Sequence, residues 1–124
     1  MTGMNLFDKA MEMLGYASAD GISGKDDMLK KALTLINLVY ADLWFAFEAD
    51  QGKEPFKPLN LIGDEIVLPE RILHDVAPYG LAMFLAQSES DADNQQLYAA
   101  LYNRKRKGYN RVETVIDRLP GIGG

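Results

Sequence analysis

Residues 28–49 read MLKKALTLINLVYADLWFAFEA. Leu29, Leu33, Ile36, Tyr40, Leu43 and Phe47 recur at alternating spacings of four and three, and Ala32, Val39 and Trp44 widen that stripe into a broad apolar face. This pattern specifies an amphipathic helix of about six turns. Asp26 and Asp27 stand before it, where negative charge favours the positive end of the helix dipole. A face this wide has to be covered from several sides, so the segment is expected to be the central helix, with Trp44 as a packing residue.

On the N-terminal side, residues 5–14 (NLFDKAMEML) place Leu6, Ala10, Met13 and Leu14 on one helical face, and Gly15 is positioned to end that helix. Residues 16–27 have no sustained period and read as a loop. On the other side, 50–58 (DQGKEPFKP) carry a glycine and two prolines and form a second loop. Residues 59–69 (LNLIGDEIVLP) fit either a short β-hairpin about Gly63-Asp64-Glu65 or an extended arm laid over a helix. Pro69 suits the first position of a third helix, whose face is Ile72, Leu73, Val76 and Ala77.

The third helix then meets APYGLAMFLAQ at 77–87. An interior proline costs ~3 kcal/mol and an interior glycine ~1 kcal/mol relative to alanine. Pro78 therefore bends or restarts the helix, and Gly80 admits a close neighbour, so that Leu81 to Ala86 can be buried on most sides. Ser90 or Asp91 caps the fourth helix, in which Tyr98, Leu101, Tyr102 and Lys105 share a face. Regular helix is expected to weaken near Gly108. The expected architecture is mainly α: a small four-helix domain over 1–109, with either hairpin or arm at 59–68. Residues 110–124 would form an irregular tail, partly extended or flexible.

With 124 residues, 48% apolar and 25% charged, the chain suits one globular domain. It has no cysteine, which excludes disulfides, thiol catalysis and cysteine-held zinc. No signal segment or run of ~20 apolar residues is present, so a soluble cytoplasmic protein without membrane contact is expected. The net charge of −5 is unevenly divided. Residues 1–103 hold seven Lys/Arg against sixteen Asp/Glu, a balance of −9, whereas 104–124 hold six against two, or +4.

Candidate chemistry is sparse. His74 is the sole histidine, and Asp75 beside it points ~100° away on a helix. The acids Glu89, Asp91 and Asp93 lack the glycine and glutamate of a calcium loop, since Gln96 and Tyr102 fill the sixth and twelfth places counted from Asp91. They suit helix capping. The terminal GIGG has no following helix to orient a phosphate. No catalytic, metal or cofactor residues can be assigned, and no enzyme class is indicated. What remains is 102–111, YNRKRKGYNR, with four consecutive cations between tyrosines. It suits a solvated helix end, a protein partner, or phosphate backbone with stacked bases.

Four stretches taken in order resemble the head–tail connector (adaptor) proteins of tailed bacteriophages: DKAMEMLGYASADG at 8–21, LKKALTLINLVYADLW at 29–44, IVLPERILHDVAPYGLAMFLAQSESDADNQQLYAALYNRKRKG at 66–108, and VIDRLP at 115–120. The resemblance spans nearly the whole chain and rests on the order and spacing of these signals. It implies a small helical protein, without enzymatic activity or cofactor, that docks as a ring below the portal protein and offers a platform to the stopper or tail. It also implies residence in the virion neck of a phage or prophage, after a cytoplasmic stage in the host, with DNA at most passing through the channel. In such adaptors the C-terminal tail contributes to docking on the portal or on a neighbouring subunit. Here that segment is 104–120, with Arg104, Lys105, Arg106, Lys107, Arg111, Arg118, Leu119 and Pro120 as candidate contacts. The alternative is a small helical regulatory or nucleic-acid-binding module that uses the cations of 104–111 on phosphate.

Overall fold

The computed structural model describes the backbone of residues 1–16, 22–47 and 55–123, and the side chains of 1–16, 27–47 and 55–109. Its elements are α1 (Gly3–Leu14), α2 (Ile22–Phe47), α3 (Glu70–Asp75), α4 (Ala77–Ser88) and α5 (Ala92–Gly123). The protein is mainly α, with no strand among the described residues. The apolar helix α4, and not α2 as its broad stripe suggested, is central: α1, α2, α3 and α5 all pack on it.

α1 is closed at both ends by its own sequence. Thr2 Oγ1 accepts from the Asn5 N–H and Asn5 Oδ1 accepts from the Thr2 N–H, a reciprocal capping box. Gly15 ends the helix in the left-handed conformation, φ 78°. α2 begins at Ile22, earlier than the aspartates suggested; of its stripe, Ala32, Ile36, Val39, Tyr40, Leu43, Trp44 and Phe47 lie in the core, while Leu29 and Leu33 are half-buried against it. Residues 17–21 and 50–54, read as parts of loops, and 48–49, read as the end of the central helix, lie outside the described residues.

The expected third helix is two. Val76, at φ −115° and ψ −51°, is at once the C-cap of α3 and the N-cap of α4. Pro78 falls in the first turn of α4, where a missing N–H leaves no intrahelical bond unmade, so the proline restarts the helix rather than kinking it. Ala77 and Pro78 are themselves buried, so the break lies inside the core. Leu81, Ala82, Leu85 and Ala86 are fully covered.

Residues 59–68 form the arm and not the hairpin. Asp64 closes a turn: its N–H donates to Leu61 C=O, and its carboxylate accepts from the N–H groups of Asn60 and Leu61. The arm does not pair with itself because its backbone is satisfied elsewhere. Gly3 N–H donates to Asp64 C=O at 3.1 Å, Met4 N–H to Ile62 C=O at 2.7 Å, and Ile66 N–H to Met1 C=O at 3.0 Å. The Asn37 side chain on α2 both donates to and accepts from the Leu59 backbone, and Tyr40 Oη accepts from the Val67 N–H. Phe56 seats the start of the arm against Tyr40 and Trp44.

α5 runs straight through Gly108, where weakening was expected, and its backbone is helical as far as Gly123. The ~1 kcal/mol penalty of a helical glycine is offset because the next residue is tied down. Tyr109 Oη donates to Asp75 at 2.7 Å, and the Arg71 guanidinium lies over the Tyr109 ring. Of the tail expected over 110–124, residues 110–123 continue α5 in their backbone, and the side chains of the segment lie outside the described residues.

Candidate interaction surface

α5 carries its polar residues on two faces with different fates. The start of the helix is fixed by Asp91, which accepts from the Asn94 N–H and side-chain amide and from Tyr16 Oη at 2.6 Å. Asp91 is the cap, which answers the choice between Ser90 and Asp91. From there the inner face, Tyr98, Tyr102, Lys105 and Tyr109, reaches one neighbouring element after another. Tyr98 Oη donates to Met13 C=O at the end of α1. Tyr102 Oη donates to Asp42 Oδ2 on α2 at 2.5 Å, and Arg106 grips the same carboxylate with two bonds, at 2.9 and 3.2 Å. Lys105 Nζ donates to Asp75 Oδ1 at 2.8 Å, at the end of α3, and sits over the Tyr79 ring of α4.

These contacts set the ionisation of the groups involved. The bonds from Lys105 and then Tyr109 hold Asp75 below the usual carboxylate range, and the same Asp75 bond raises Lys105. Burial, followed by the bond to Asp42, pushes the Tyr102 hydroxyl far above its ordinary 10.0. Burial acts first on Tyr16 as well, with the Asp91 carboxylate second. Two aspartates, 42 and 75, thereby fasten α5 to the body through four donors.

The basic cluster of the sequence is therefore divided. Lys105 and Arg106 are half-buried in internal ion pairs. Arg104 and Lys107 face outward with Asn103 and Gly108, and have no partner among the described residues. Arg111, Arg118, Leu119 and Pro120 lie on the helical continuation of α5, with side chains outside the described residues. Gly80 and Trp44 lie where helices and rings pack closely. A Cβ at Gly80 would meet the Tyr102 ring at 2.7 Å, and Trp44 is buried among Tyr40 and Phe56.

The roles of Asp42 and Asp75 as acceptors for α5 were not read from the sequence. The available signal was the tyrosine spacing itself: hydroxyls at 98, 102 and 109 on a buried face each need an acceptor. An exposed apolar surface was not read from the sequence either. Leu38 and Phe45 on α2, with Leu61 and Val67 on the arm above it, are all at least half exposed. His74 is exposed at the end of α3, and its carbonyl accepts from Lys9 Nζ. Among the described residues no group of three or more His, Asp or Glu is placed to hold a metal ion, and no helix is long and apolar enough to cross a membrane.

No family model, curated protein or solved structure matches the chain.

Proposed function

We propose that the chain is a non-enzymatic structural protein of a tailed-phage virion, a head–tail connector (adaptor) that assembles as a ring between the portal protein and the tail or stopper. The reading starts from the resemblance of residues 8–21, 29–44, 66–108 and 115–120 to such adaptors. The observation that carries it further is the division of the basic cluster. Lys105 and Arg106 hold α5 against α2 and α3, while Arg104 and Lys107 are presented outward from a helix fixed along its inner face. That arrangement suits a protein whose work is to hold a charged surface in a set orientation. Arg111, Arg118, Leu119 and Pro120, further along α5, are assigned to docking on the portal or on a neighbouring copy. The working place is the virion neck, with the host cytoplasm before assembly, and DNA passes only through the channel.

The experiment is co-sedimentation with the portal protein encoded in the same genome, imaged by negative stain. Added ring-shaped density at the narrow end of the portal, lost when 110–124 are deleted, is expected. Absence of binding at low salt would overturn the reading.

A further inference from the structure

Two outward helical rows on this molecule are opposite in charge and share one periodicity. On α5, Leu97, Ala100, Arg104 and Lys107 follow one another at spacings of three, four and three; all are exposed, and Leu97 keeps 51% of its surface in water. On α1, Asn5, Asp8 and Glu12 follow at spacings of three and four and are likewise exposed. Rows of this kind line up when two helices pack at a shallow angle. Arg104 and Lys107 are separated by about 4.5 Å of helical rise and Asp8 and Glu12 by about 6 Å, so the two cations can face the two carboxylates over little more than one turn.

Neighbouring charges do not undo the match. Lys9 is turned toward α3, its Nζ against the His74 carbonyl. Lys105 and Arg106 are engaged inward. Asp93, on the same side of α5, stands about 16 Å along the axis from Arg104, beyond a Debye length at physiological salt.

We propose that neighbouring copies of this chain join through these two rows, Leu97–Ala100–Arg104–Lys107 of one copy seated on Asn5–Asp8–Glu12 of the next. The proposal rests on the ring reading above and names its contact. Each copy carries one row of each sign, so copies add head to tail, and a rotation that closes gives a ring. The charges set register, so association weakens as salt screens them.

The test uses charge reversal in the full chain, read by sedimentation velocity at low and high salt, with circular dichroism to confirm folding. Asp8→Lys/Glu12→Lys and Arg104→Glu/Lys107→Glu should each weaken self-association about tenfold or more. An equimolar mixture of the two variants, in which opposite rows again face each other, should restore it. Wild-type association that neither reversal weakens overturns the row pairing and leaves the ring reading standing. A chain that stays monomeric at low salt also overturns it, and addition of the same proteins to the portal then decides the ring reading separately. Retention of duplex DNA by the wild type in a gel shift, abolished by Arg104→Glu/Lys107→Glu without any effect on self-association, would give the cations to phosphate and overturn the pairing as well.

Discussion

A Cβ added at Gly80 would lie 2.7 Å from Tyr102 Cε1 and 3.0 Å from Cδ1 and Cζ. The ring cannot swing aside cheaply, because its hydroxyl is bonded to Asp42 on α2 and the residue is 5% exposed. Gly80→Ala should therefore destabilise the protein by about 1–3 kcal/mol through overpacking. Gly108 is the contrasting site: nothing lies within 4 Å of its added Cβ, and it sits within α5. Gly108→Ala should stabilise by up to about 1 kcal/mol through helix propensity and a less flexible unfolded chain. Urea unfolding of the two variants checks both signs, and a neutral Gly80→Ala would show that the helices do not depend on this approach. The sequence pointed to close packing at Gly80 because glycine in an apolar run has few other uses. It did not say which side chain arrives, since Tyr102 is brought there by the tertiary fold.

At the scale of elements, the inner face of α5 makes stability depend on pH from both sides. Asp75 titrates below its ordinary 3.8 in the folded protein, so its contribution is complete above the unfolded value and is lost as pH falls through the folded one. Lys105, Tyr98, Tyr102 and Tyr109 shift the other way. Their folded values lie above the ordinary 10.0–10.5, so their contributions are complete below that range and are lost as pH rises through the folded values. Thermal midpoints should be level between about pH 5 and 9 and fall on either side, more on the alkaline side, where more groups act. Midpoints that hold steady to pH 11 would contradict the clamp. The helical elements were legible from periodicity and caps, as with the stripe of α2, Gly15 and Asp91. The ambiguous stretch 59–68 was not, because its partners are residues 1–4 and the side chains of Asn37 and Tyr40, far away in sequence. The helix through Gly108 was missed for the same reason, since the bond from Tyr109 to Asp75 spans 34 residues.

For the whole molecule, the charge split read from the sequence is real but coarser than the structure. Composition alone made 104–107 one basic block, and only the packing of α5 separates its inward from its outward members. Leu38 and Phe45 show the same limit: on α2 they are as apolar as the core residues beside them, yet they remain exposed beside the arm. Neighbouring cations of one block are therefore placed for different work. The most direct measurement compares Lys105→Gln/Arg106→Gln with Arg104→Gln/Lys107→Gln, recording the thermal midpoint and salt-dependent self-association for each. The first variant should lose about 1 kcal/mol, or about 3–6 °C, because partly exposed ion pairs to Asp42 and Asp75 are removed. The second should hold its midpoint within about 0.5 kcal/mol and lose association. Equal effects of the two variants on both readouts, or the reverse assignment, would contradict the division of the cluster.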